Sequence, residues 1–379
     1  IPGQKIIKDC ASTGEYVVCD NNLFFECDTE QERLKHNFKD PWIQLKCIPY
    51  AKIVNHNTVI TRENNILMGL QYHYLTPIIK PAQMSPLEVD YYFSTSSEPS
   101  LFIPVAHETE SFDCAFFVGG TDNFGHWLFE FLPRALWYKK LFPSQNIPLM
   151  IGESVLDKWL QLLVPLGINL NVVERFKTGV SIAFEELIVC SASCKRHPNG
   201  TGVIRGEDFS TLRNLMEIYF KHYTYGAENI ECLFCTRRNA RWRKTINESE
   251  VLSWLNSKLK TEVFEPEYLS IAKQFEMLGK TKYFFSTGGS LPFAMFAPKD
   301  SVLFEIRPPA GSGFVGSVWP DLFRFGYHRI KTKWYDESVE TENIPDDNFT
   351  KKFHERDLVI DMDIFKKEVE KIITLTKLV

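Results

Sequence analysis

Long apolar runs are missing from this chain of 379 residues: no stretch approaches the roughly 18 to 20 uninterrupted apolar residues of a membrane-spanning helix. The first ten residues, IPGQKIIKDC, also lack the apolar core of a signal peptide, although what precedes Ile1 stays open. An excess of positive charge is absent as well. Lys and Arg number 43 against 48 Asp and Glu, a net charge of −5, which argues against binding nucleic acid by bulk attraction. Cysteine is too sparse for a disulfide scaffold: the nine are odd in number and scattered. Cys10, Cys19, Cys27 and Cys47 leave room for a disulfide or two in an oxidising compartment, with free thiols the simpler expectation. Cys232 and Cys235 resemble half a zinc site, but three residues apart on a strand they point to opposite faces. Three N-x-S/T sequons, at Asn199, Asn247 and Asn348, are close to chance and do not establish secretion. Internal repeats and low-complexity runs are missing too.

What remains is the composition of a folded protein, 44% hydrophobic and 24% charged, long enough for two domains. Residues 1–105 read as a β-rich segment packed on the first domain, with runs such as EYVVCDNNLFFEC and EVDYYFSTSS. Residues 106–226 alternate strands (CAFFVGG, IPLMIG, NVVERF, ELIVCS) with helices (HWLFEFLPRALWYKK, SVLDKWLQLLVPL, TLRNLMEIYFKHY), and the stretch from His197 to Glu207 reads as a loop. Residues 227–350 alternate more regularly. Strand IECLFC leads to a helix from about Asn247, with Asn247 and Glu250 placed as a capping box; TEVFEP, a helix from Ser270, KYFFS, a short helix from Ser290, and SVLFEI follow. The pattern implies parallel sheets covered by helices, with residues 351–379 a closing helix.

In such sheets ligands gather at the carboxyl ends of the strands. In the second block those ends hold Thr236, Arg237 and Arg238; Glu265 and Glu267; Thr287, Gly288 and Gly289; and Glu305 and Arg307. Arginine forks suit phosphate oxygens, adjacent glycines admit backbone amides to a phosphate, and a carboxylate can accept two ribose hydroxyls. The set therefore fits a nucleoside diphosphate. A solvated loop face, a tight turn and a surface Glu305–Arg307 ion pair are the respective structural alternatives. In the first block, GGTDNFGHWLFEFLPR puts Asp122 and Asn123 at a helix start and spaces His126 and Glu130 one turn apart, so that a carboxylate can orient an imidazole as general base. Asp122 is the rival base, and a cap with a packing histidine the bland alternative. Pro133 predicts a kink or early break. Asp361 and Asp363 form a D-x-D, but Asp363 reads more simply as the cap of the last helix.

NFGHWLFEFLPR is similar to N-x-x-H-W-L-x-x-x-L-P-R of glycosyltransferase family 61. TRRNARWRKTINESE resembles that family's S-R-R-x-x-x-x-R-x-x-x-N-E, and PEYLSIAKQ with STGGSLPFAMFAP resembles P-E-x-L-S-x-x-x-Q and P-H-G-A-G-L-T-N-L-L-F-A-P. The resemblance implies a GT-B fold, two Rossmann-like domains facing a cleft, and an inverting transfer from a nucleotide sugar to a glycan or glycoprotein hydroxyl. A UDP-sugar such as UDP-xylose or UDP-GlcNAc is the expected donor. No metal or other cofactor is expected, nor any nucleic acid. By position, Arg237, Arg243, Asn247, Glu267, Gln274, Gly288 and Glu305 fall on the donor-side pattern, with Arg238, Thr287 and Gly289 beside them, and His126 and Trp127 on the first-domain motif. Thr287 stands where the family usually has His, and Ser290 and Phe293 replace a Gly and an Asn. A catalytically silent glycan- or nucleotide-binding protein is the alternative. The expected setting is a soluble chain, cytoplasmic if bacterial or viral, in the ER or Golgi lumen if eukaryotic.

Overall fold

The computed structural model describes residues 23–25, 45–54, 58–60, 62, 92–93, 101–102, 108–177, 180–190, 194–196, 202–224, 229–240, 243–287, 289–307, 322–323, 326–334 and 357–377. The chain is mixed α/β and divides into two compact units, Ile1–Tyr219 and Phe220–Val379.

In the first unit short strands come first: β1 (Leu23–Phe25), β2 (Leu45–Pro49), β3 (Lys52–Val54), β4 (Thr58–Ile60), β5 (Tyr92–Phe93) and β6 (Leu101–Phe102). Then follow β7 (Glu108–Gly119), α1 (Phe124–His126), α2 (Leu132–Leu141), β8 (Leu149–Gly152), α3 (Asp157–Leu160), β9 (Val173–Phe176), β10 (Ser181–Cys190), β11 (Cys194–Arg196), β12 (Gly202–Arg205) and α4 (Gly206–Thr224). The main sheet has the order β4-β3-β10-β7-β8-β9, with β2 also on β10. Strands β10, β7, β8 and β9 run parallel, whereas β2 and β3 join β10 antiparallel. The early β-rich segment thus contributes strands to the first unit's own sheet. Ala115 to Val118 are buried at every position, as a strand covered on both faces requires.

Three local expectations change. The later part of the loop expected from His197 to Glu207 is ordered otherwise: Gly202–Arg205 is strand β12, paired antiparallel with β11, and α4 begins at Gly206. The helix expected over SVLDKWLQLLVPL is a four-residue α-turn and a 3₁₀ stretch, Gln161–Leu166, ending at Gly167 in the left-handed region (φ 74°). Pro165 withholds the amide that a longer α-helix would use. Pro133, by contrast, breaks nothing. Trp127–Phe131 widens to a π-turn, with the Leu132 amide donating to Trp127 O, so that Pro133 falls in the first turn of α2, where no amide is asked of it.

The second unit holds β13 (Ile230–Cys235), α5 (Glu248–Lys258), β14 (Thr261–Phe264), α6 (Ile271–Leu278), β15 (Thr281–Thr287), β16 (Val302–Arg307), β17 (Gly326–Trp334), β18 (Leu358–Ile360) and α7 (Met362–Lys377). Its sheet order is β14-β13-β15-β16-β17-β18, parallel but for β18. One face packs Phe285 and Phe304 as a stack 4.3 Å apart with Val251 and Leu255 of α5 and Phe365 and Val369 of α7. On α6, Phe275 meets Phe296 at 4.1 Å. Cys232 belongs to the first of these clusters and Cys235 does not, as alternation along β13 dictates. Cys114, Cys232 and Cys235 are free thiols, while Cys10, Cys19 and Cys27 lie outside the described residues. Burial pushes the Cys232 and Cys235 thiols up to about 12, which keeps them protonated.

Two caps move. Asn247 makes no side-chain cap bond to α5; its amide instead brackets Ile360, Nδ2 donating to Ile360 O (2.8 Å) and Oδ1 accepting from Ile360 N (3.0 Å). Asp361, not Asp363, caps α7: its carboxylate accepts from Ile364 N at 3.3 Å, and that amide, with Lys333, holds the carboxyl below its ordinary value.

Candidate functional site

Each sheet has one point where the chain leaves a strand in one direction and returns on its other side: between β7 and β10 in the first unit, and between β13 and β15 in the second. Loops diverge at such points and open a crevice at the strands' carboxyl ends. His126 and Glu130 follow the first of these points, and Arg237 and Thr287 end the strands at the second.

In the first unit β7 ends in Gly119, in the left-handed region (φ 85°), and Gly120, where a side chain would begin 2.4 Å from Val155 Cγ2. Asn123 caps α1, its side chain accepting from the His126 amide at 3.3 Å. His126 Nδ1 lies 2.5 Å from Glu130 Oε1; the imidazole is one-third exposed and the carboxylate buried. The π-turn carries Glu130, and such turns often mark functional segments. Glu130 as acceptor places a proton on Nδ1 and leaves Nε2 to accept another. Asp122 is exposed at the helix start.

One further helical turn brings Arg134, which the site assignment from sequence alone leaves out. It is fully buried, donates to Val118 O at 2.7 Å and lies over the Phe131 ring at 5.1 Å. Burial pushes its guanidinium down to about 10, with the Glu130 charge opposing. At neutral pH it is therefore a cation beside Glu130. His126, Glu130 and Arg134 follow one another at i, i+4 and i+8.

In the second unit the strand ends bring together Arg237, Arg243, Thr287, Gly289 and Ser290. Arg237 Nη1 donates to Ser290 Oγ at 3.3 Å. A side chain at Gly289 would begin 3.0 Å from Arg237 Nη1 and 3.7 Å from Arg243 Nη2, so both guanidiniums converge over this glycine. Burial pushes Arg237 below its ordinary value, Cys235 and Glu267 opposing, and pushes Arg243 down to about 10 with the Arg237 charge adding to the effect. Arg243 Nε is buried without a hydrogen-bond partner, and among the described residues no carboxylate pairs with this side chain. Its backbone is left-handed (φ 57°), a conformation that costs a non-glycine residue about 1 kcal/mol or more. Two converging, half-buried cations suit an anion between them. Thr287 is buried with its hydroxyl unpartnered among the described residues.

The other donor-side candidates hold this arrangement in place or stand beside it. Arg238 is half exposed and pairs with Glu248 and Glu265, each at 3.6 Å. Glu248, missed in the sequence, accepts from Thr236 Oγ1 at 2.5 Å and from the Arg237 amide at 3.3 Å. Gln274 Nε2 donates to Pro266 O (2.8 Å) and Leu269 O (3.1 Å), fixing the turn that carries the exposed Glu267. Gly288 lies outside the described residues.

Glu305 is buried on β16 and accepts the Tyr327 hydroxyl, to which Arg329 Nε donates at 3.0 Å, and the Arg307 charge acts on it as well. Tyr327 and Arg329 lie on β17, which carries no motif to announce it. Burial raises the Glu305 carboxyl above its ordinary value, against the Tyr327 bond and the two arginines. A raised folded-state value means stability falls as pH rises from the unfolded value through the folded one. Glu305→Gln is therefore expected to flatten that pH dependence in thermal melts.

Residues 124–304 match the family model described as Glycosyltransferase 61. That stretch, a little under half of the chain, is similar to the glycosyltransferase 61 family. The similarity is to enzymes that carry a sugar from a donor to an acceptor. The match takes in both switch-point constellations from His126 through Arg237 and Arg243 to Gly289. No curated protein matches the chain. No helix among the described residues is long and apolar enough to cross a membrane.

Proposed function

We propose that the protein is an inverting glycosyltransferase that moves a sugar from a nucleoside diphosphate, a UDP-sugar such as UDP-xylose or UDP-GlcNAc, to a hydroxyl of a glycan or glycoprotein. The observation that carries this reading is the convergence of Arg237 and Arg243 over Gly289. In a single in-line displacement negative charge grows on the departing diphosphate. Two guanidiniums held in place beforehand, with the Gly288 and Gly289 amides, stabilise that charge in the role a divalent ion fills elsewhere. Glu305 is assigned to the ribose hydroxyls and Glu267 to the edge of the donor site. His126 Nε2 takes the acceptor proton while Glu130 holds the ring and stabilises the imidazolium, with the buried Arg134 cation next along the helix. The two units are taken as the two Rossmann-like halves of a GT-B enzyme.

Incubation with a panel of UDP-, GDP- and CMP-sugars in the absence of acceptor tests this reading. Slow release of UDP from one UDP-sugar is the expected result. Binding without any release would favour the silent binding protein, and no binding to any of them would overturn both.

A further inference from the structure

The loop that presents Arg243 is tied to the far end of the chain. Immediately after Arg243, residues Lys244–Asn247 run alongside Asp357–Ile360, with Thr245 bridged in parallel to Leu358. Five hydrogen bonds join the two segments. The Lys244 amide donates to Asp357 Oδ1 (2.8 Å), Leu358 N to Lys244 O (2.7 Å) and Ile246 N to Leu358 O (2.9 Å). The remaining two are the Asn247 side-chain bonds to Ile360. The strap is itself anchored: β18 pairs with β17, α7 packs Phe365 against Trp254 (5.4 Å), and Lys258 pairs with Glu370 (2.8 Å).

These bonds fix the chain at the residue following a strained one. Arg243 holds its left-handed φ where Asp357 captures the next amide, and that backbone turn brings Nη2 toward Gly289. We infer that the strap Asp357–Ile360 is a positioning element for the anion site, and that Asp357, through Lys244 N, sets the reach of Arg243. This rests on the reading of Arg237 and Arg243 as a diphosphate site. An anion restrains Arg243 directly, so loss of the strap contact shows in anion affinity before it shows in the stability of a unit with a large aromatic core.

The test uses the full chain, inorganic pyrophosphate and UDP as probes, and titration calorimetry alongside thermal melts. Asp357→Ala is expected to weaken both probes by about tenfold, the loss of one charge-assisted hydrogen bond, with Tm changed by only a few degrees. Asp357→Asn retains the acceptor and is expected to bind within about twofold of wild type. Should Asp357→Ala not fold, Asp357→Glu replaces it, because the longer side chain displaces the acceptor; weakened binding is again expected. Unchanged affinity in Asp357→Ala or Asp357→Glu, while Arg243→Ala loses binding, would overturn the positioning role and leave the diphosphate reading standing. Equal weakening in Asp357→Ala and Asp357→Asn would overturn it as well, since the retained acceptor would then count for nothing. A wild-type chain that binds neither probe would overturn both.

Discussion

Arg237→Ala is expected to lower kcat by about a hundred- to a thousandfold while the protein stays folded. Removal of one preorganised donor to a developing charge has an effect of that order. Little structural penalty accompanies it. Arg237 is bonded to Ser290 and influenced by Glu267, but it spans no core cluster, and its loss relieves the repulsion that lowers Arg243. The loss should concentrate in the chemical step, because charge on the diphosphate is greatest in the transition state. Arg237→Lys keeps the charge without the fork and should recover only part of the rate. Steady-state kinetics with circular dichroism separate the outcomes. Unchanged turnover in a folded Arg237→Ala protein would remove the leaving-group assignment.

His126→Ala is expected to reduce kcat by about a hundred- to ten-thousandfold, the range for a general base. Its partner supplies the sharper version of the experiment. Glu130→Gln keeps the size and a hydrogen-bonding group but loses the charge that stabilises the imidazolium across 2.5 Å. It should lower kcat substantially and move the acidic limb of the pH–rate profile to lower pH, because the imidazole would lose the anion that favours its protonated form. Asp122→Asn should leave that limb where it is. A profile that responds to Asp122→Asn and ignores Glu130→Gln would transfer the base to Asp122.

The strands and helices between residues 114 and 306 were largely readable from the sequence, because buried parallel strands write continuous apolar runs and their helices write a 3.6-residue period. The rule that ligands gather at strand ends picked out Arg237, Thr287 and Gly289 in the second block, and helical spacing picked out His126 with Glu130. What the sequence left dark has identifiable causes. Strand β17, GYHRIKTKW, alternates polar and apolar residues and is bounded by no motif, so Tyr327 and Arg329 went unnoticed beside Glu305. Strand β18 is three residues long and gains its place through Asn247, whose sequence context matches a capping box equally well. Pro133 suggested a break because a π-turn leaves no mark in composition. Arg134 was hidden by its type: an arginine on an apolar helix reads as surface charge until its burial against Val118 and Phe131 is seen.

Affinity for UDP, UMP and uridine, measured by calorimetry on the wild-type protein and on Arg243→Ala, tests the central claim most directly. A diphosphate held by Arg237 and Arg243 predicts that UDP binds well above UMP and uridine, and that Arg243→Ala erases most of that advantage. Equal binding of UDP and uridine, or a UDP advantage that survives Arg243→Ala, would contradict it.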